Sequence, residues 1–89
     1  MDKRILQLRE MLDNIDEKIL QLLEERMEII RQVGQIKSEL DIPIEDLKRE
    51  KEIIDRLTDH SGSILTDKQL IRIFRAVFKS SKIEQNRIN

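Results

Sequence analysis

The 89-residue chain is predicted to be all-α, and three observations carry that expectation. Apolar residues recur in steps of three and four, the signature of one buried face on a helix. Charged residues (39%) match hydrophobic ones (38%), and Phe74 and Phe78 are the only aromatics, which suits amphipathic helices better than an aromatic-rich sheet. Breakers are few: one proline and two glycines. The length implies one domain over residues 1–89.

The first helix is predicted from about Asp2 to about Leu40. Its apolar residues fall at Ile5, Leu8, Leu12, Ile15, Ile19 and Leu22, then at Ile29, Val33, Ile36 and Leu40. Gly34 is the only glycine inside it. Asp41-Ile42-Pro43 ends it, because a residue before proline avoids the α region and proline lacks a donor. A second helix starts at Glu45 or Asp46, either of which can cap it, and carries Leu47, Ile53, Ile54 and Leu57. His60-Ser61-Gly62-Ser63 reads as a loop. The third helix opens with Thr66 and Gln69 in a capping-box pattern, with Leu65 and Leu70 able to staple it. Its apolar face is Leu70, Ile73, Phe74, Val77 and Phe78, and it continues through Ser81 and Gln85 towards Ile88.

The first helix is too long for the domain. About 38 residues at 1.5 Å each span roughly 57 Å. A compact chain of this size is roughly 30–35 Å across. The two short helices can cover about half of such a stripe, and a small soluble monomer avoids leaving the rest to water. The expectation is therefore a homodimer, in which three helices (one very long, two short) intertwine with an antiparallel second copy.

Several function classes recede on composition. There is no cysteine, and His60 is the only histidine, so metal clusters built on either are not expected. No cofactor is called for. A net charge of −1 provides no global attraction to nucleic acid or membrane. No apolar run approaches the ~18 residues of a membrane span, and the charged start is unlike a signal peptide, so a cytoplasmic location is expected. Lys68, Arg72, Arg75, Lys79 and Lys82 share one face of the third helix. With no aromatic platform beside them, they read as a solvated face balancing Glu24, Glu25 and Glu28.

The apolar seams contain residues that do not belong there. Continuing the spacing from Leu22, the next seam position holds Arg26. Lys37 lies eleven residues on, about 20° round, on the same face. Glu50 sits among Leu47, Ile54 and Leu57. Ser81 and Gln85 extend the row of Phe74 and Val77. Singly, each has a plain reading: an intersubunit salt bridge for Arg26, an ion pair with Arg49 or Lys37 for Glu50, small-residue packing for Ser81, fading burial for Gln85. Together they mean more. All three helices turn polar on their inner faces in a chain with little core to spare, and an unpaired buried charge costs several kcal/mol. A polar, anionic ligand would account for the set.

These residues resemble the all-helical class of chorismate mutases, over essentially the whole chain. The similarity runs through Leu8-Arg9-Glu10, Ile15-Asp16-Glu17-Lys18-Ile19-Leu20, Leu23-Glu24-Glu25-Arg26, Val33-Gly34-Gln35-Ile36-Lys37, Pro43-Ile44-Glu45-Asp46-Leu47-Lys48-Arg49-Glu50, and Phe74 leading to Ser81 and Gln85. The resemblance implies a pericyclic rearrangement of chorismate to prephenate, on the route to phenylalanine and tyrosine. It implies a dianionic substrate held by Arg9, Arg26, Lys37, Asp46, Arg49, Glu50, Ser81 and Gln85. Arg26, and Arg9 from the other subunit, would hold the carboxylates. Lys37 and Gln85 would donate to the ether oxygen, and Glu50 with the backbone at Asp46 would fix the ring hydroxyl. Arg49 and Ser81 would line the pocket. Within one helix Arg9 and Arg26 lie about 25 Å apart, so a shared small ligand requires Arg9 from an antiparallel partner. The same fold could instead serve an isochorismate pyruvate lyase, or a helical dimerisation module without chemistry.

Overall fold

The computed structural model describes residues 1–87 and consists of three helices: α1 (Lys3–Glu39), α2 (Leu47–His60) and α3 (Asp67–Asn86). Ile88, where the third helix was expected to end, lies outside the described residues.

Each helix terminus has a local cause. The Asp2 side chain caps α1 by accepting from the Arg4 backbone N–H at 2.7 Å. The other end of α1 does not wait for Pro43. Asp41 turns into the left-handed region (φ 57°), and the Ile42 N–H reaches back to the Lys37 carbonyl at 2.8 Å while the Asp41 N–H reaches Ser38 at 3.3 Å. This is a Schellman ending with aspartate in the place glycine usually takes; a short polar side chain tolerates that conformation. Of the two candidate caps for α2, Asp46 is the one used: its carboxylate accepts from the Arg49 N–H at 3.0 Å. The capping box of α3 is complete, with Gln69 N–H to Thr66 Oγ1 at 3.2 Å and Thr66 N–H to Gln69 Oε1 at 2.9 Å.

Helix α3 packs against both α1 and α2 and is the centre of the fold. The pairs Arg26–Ser81, Arg31–Glu84 and Gly34–Gln85 advance together along α1 and α3, so the two run in the same sense. Among the described residues the buried apolar side chains are Ile53, Leu70 and Phe78, with the Phe74 ring tilted against Phe78 at 6.1 Å between centroids. Leu47 and Ile73, expected on the inner faces, are exposed instead, and Ile53 fills the inward position of α2.

All of this packing falls on the C-terminal part of α1. Every residue from Lys3 to Glu25 is exposed, and Ile5, Leu8, Leu12, Ile15, Ile19 and Leu22 are 46–63% accessible. The shape follows: 56 × 26 × 16 Å, its long axis close to the length expected for α1. No helix among the described residues is long and apolar enough to cross a membrane.

Candidate active site

The three polar seams meet. A cavity of about 360 Å³ opens between the C-terminal part of α1, the 40–46 connection, the start of α2 and the end of α3. Arg26 and Lys37 line it from α1, Asp46, Arg49 and Glu50 from α2 and its cap, and Ser81 and Gln85 from α3. Ile29, Ile30, Val33, Ile44, Ile53 and Phe78 supply apolar wall. Seven of the eight residues expected at the site are thus gathered. Arg9 is the exception: it is exposed on the bare part of α1 and takes no part in this cavity.

Each polar side chain is held by its neighbours. The Arg26 guanidinium donates to Ser81 Oγ, whose hydroxyl donates to the Val77 carbonyl at 2.8 Å. Burial, and then the nearby Arg49 cation, push the Arg26 pKa below its ordinary value. Arginine stays protonated regardless, so Arg26 is a partly buried cation beside a second cation, and an anion in the cavity would offset both effects. Lys37 Nζ donates to the Ile44 carbonyl at 2.9 Å, tying the connection back onto α1. Arg49, half-exposed at the mouth, reaches Glu52 at 3.7 Å.

Gln85 is 5% exposed, so burial does not fade at this end of α3. Its Nε2 donates to the Ser81 carbonyl at 3.4 Å, and its buried Oε1 has no partner. A bond that long is weak, and an unsatisfied buried acceptor costs about 1–3 kcal/mol. The amide is therefore free to reorganise around a ligand. Gly34 sets its position. A Cβ built on Gly34 would lie 3.0 Å from the Gln85 Cα and 3.2 Å from its Cβ and Cγ. A lone glycine in a helix of 37 residues was the available signal: it costs about 1 kcal/mol against alanine, so its presence points to a close approach.

One pairing differs from the sequence reading, and a second had no counterpart in it. Glu50 pairs with neither Arg49 nor Lys37 but with Lys82 Nζ at 3.0 Å, and Lys82 also holds Glu45 at 3.1 Å. Lys82 therefore leaves the solvated stripe to which spacing assigned it. It sits one residue round from Ser81, where α3 turns towards α2, and it lines the cavity. Secondly, Glu84 is buried between Arg31 and Arg87, and the Arg31 hydrogen bond holds its carboxyl below the usual range. This second tie joins α1 to α3 outside the cavity.

Of the four lining cations, Lys82 pairs with Glu50 and Glu45 and Arg49 reaches Glu52, whereas Arg26 and Lys37 have no carboxylate within ion-pair distance among the described residues. Among the described residues no group of three or more histidines, cysteines or carboxylates is arranged to hold a metal. Fold and pocket together make a helical receptacle whose lining carries more cations than carboxylates.

Comparison with known proteins agrees. The model of the chorismate mutase type II family matches residues 8–86. The chorismate mutase of Methanocaldococcus jannaschii is 36% identical over 86 residues, covering 96% of this chain and 87% of that one. The bifunctional chorismate mutase/prephenate dehydratase of Escherichia coli is 34% identical over 82 residues; the match covers 91% of this chain but 21% of the longer protein. Among solved structures, chorismate mutase (form II) from Thermus thermophilus superposes with a TM-score of 0.92 at 33% identity, covering 94% and 96% of the two chains. The Helicobacter pylori chorismate mutase in complex with prephenate gives 0.91 at 33% identity, covering 98% and 94%. The chain belongs to the chorismate mutase type II family, a family of isomerases.

Proposed function

We propose that this chain converts chorismate to prephenate in a site completed by a second copy. The carrying observation is the cavity itself: Arg26, Lys37, Glu50, Ser81 and Gln85 converge from three helices on one space, and Arg26 and Lys37 enter it bonded only to neutral groups. Chorismate is a dianion of matching charge. Its rearrangement breaks a C–O bond as a C–C bond forms within one molecule, with no proton transfer and no covalent intermediate. Such a reaction is accelerated by holding the folded conformer and by donors placed where charge develops.

The residues suit both tasks. Arginine grips a carboxylate through paired hydrogen bonds, the role we give Arg26 and Arg9 of the partner subunit. Lys37, now held by a single carbonyl, and the loosely bonded Gln85 amide are the donors for the ether oxygen, which gains negative charge as the bond breaks. Glu50 and the backbone at Asp46 accept and orient the ring hydroxyl. Arg49 and Ser81 steady the ligand and Arg26.

The second copy is supported by the exposed apolar row from Ile5 to Leu22, a larger unpartnered surface than soluble monomers carry. Antiparallel α1 helices would bury it. They would also carry Arg9 across the ~25 Å that separates it from Arg26 within one chain.

The test is direct. Purified protein is incubated with chorismate, and with isochorismate in parallel, while prephenate and free pyruvate are followed and the mass in solution is measured. Prephenate from a dimer is expected. No loss of chorismate, or pyruvate as the only product, would refute the proposal.

A further inference from the structure

We infer that Lys82 is a positioning residue for this site: it fixes the carboxylate and the backbone segment that receive the substrate's ring hydroxyl. The inference rests on the function proposed above. Lys82 projects from α3 and makes two ion pairs, with Glu50 on the first turn of α2 at 3.0 Å and with Glu45 in the 40–46 connection at 3.1 Å. These are the two groups on either side of Asp46. One lysine therefore fastens α3 both to the carboxylate proposed to accept the hydroxyl and to the residue preceding the Asp46 cap. On the opposite side, Lys37 Nζ holds the Ile44 carbonyl. The connection is strapped from α1 at Ile44 and from α3 at Glu45, and Lys82 is the strap that also reaches Glu50.

Two physical points separate positioning from direct grip. The Lys82 ammonium donates to Glu45 at 3.1 Å and forms an ion pair with Glu50 at 3.0 Å, so Lys82 acts through Glu45 and Glu50. Glu50 is also a negative charge in a pocket built for an anion. Unpaired, it would repel the ligand; paired at 3.0 Å with an ammonium that it shares with Glu45, it keeps an acceptor oxygen with part of its charge offset. With a side chain 32% exposed, Lys82 is shielded enough for the pairing to hold geometry, unlike a fully solvated ion pair.

The experiment is a double-mutant comparison on the full chain. Lys82→Met is made in the wild type and in a Glu45→Gln/Glu50→Gln background, with Lys82→Arg as the conservative variant, and kcat/KM for chorismate is measured for each. Lys82→Met should lower kcat/KM about tenfold in the wild type and less than about twofold where both carboxylates are already neutral, because the residues act as one unit. Lys82→Arg, which keeps charge and donors, should stay within about threefold of wild type. A merely structural lysine would cost the same factor in both backgrounds. Equal losses, or a silent Lys82→Met in an active wild type, would overturn the assignment of Lys82 alone. A wild type that does not turn over chorismate would overturn it together with the proposed function.

Discussion

Gly34→Ala isolates a close approach of α3 to α1. The added Cβ would meet the Gln85 Cα at 3.0 Å and its Cβ and Cγ at 3.2 Å. Carbon atoms pack at about 3.5–4.0 Å, so α3 must retreat by roughly half an ångström at Gln85. Two energies oppose each other. Alanine in mid-helix gains about 1 kcal/mol over glycine, whereas overpacking costs about 1–3 kcal/mol. The net change in stability is therefore small, about 0–2 kcal/mol of loss, or a fall in Tm of up to roughly 10 °C for a domain this size. Function should be more sensitive, because the role proposed for Gln85 is to present its amide to one oxygen, and a misplacement near 1 Å costs on the order of 100-fold. Half that displacement should lower kcat/KM by about tenfold while far-ultraviolet circular dichroism still reports a folded helical protein. The assay pairs chorismate consumption with a thermal melt. A variant with wild-type kcat/KM and a raised Tm would refute the reasoning, since it would mean that only helix propensity was at stake and the helices do not touch there.

Three further outcomes are expected. Arg9→Ala and Arg26→Ala should each be nearly inactive, yet mixing them should restore activity, because one of the two sites in each heterodimer draws both arginines from intact positions; no recovery with heterodimers shown to form would sink the shared site. Gln85→Glu should work best in acid, since an amide donates at any pH but a carboxyl only when protonated; equal kcat/KM at pH 5 and pH 8 would remove Gln85 from the ether oxygen. Arg31 holds the Glu84 carboxyl below its usual range in the folded state. Its stabilising contribution is thus present above the unfolded value of about 4.3 and lost as pH falls through the lower folded value. Glu84→Gln should therefore lower Tm at pH 7 but little at pH 3, and an equal deficit at both would contradict the pairing.

The sequence by itself determined what depends on near neighbours. Helix α1 is expected from about Asp2 to Leu40 and found at Lys3–Glu39, and the Thr66/Gln69 box caps α3 as read, because periodicity and capping act within one or two turns. Part of the cavity lining was legible for a related reason: Arg26, Lys37, Glu50, Ser81 and Gln85 interrupt apolar seams and face one another once the seams pack, whereas Asp46 and Arg49 were expected only from the family resemblance. Partners across helices were not legible. Glu50 meets Lys82 rather than Arg49, which is beside it in the chain, because adjacent residues on a helix point about 100° apart while packing brings α3 over α2. Spacing put Lys82 on a solvated face, since a helical wheel cannot tell where a second helix will cover its edge. Gly34 stood in the sequence only as the one glycine inside the first helix; the packed structure shows Gln85 against it. Local order follows from torsions and caps, but the meeting of residues 32 or 51 positions apart is set by how the helices cross, and that was decided in three dimensions.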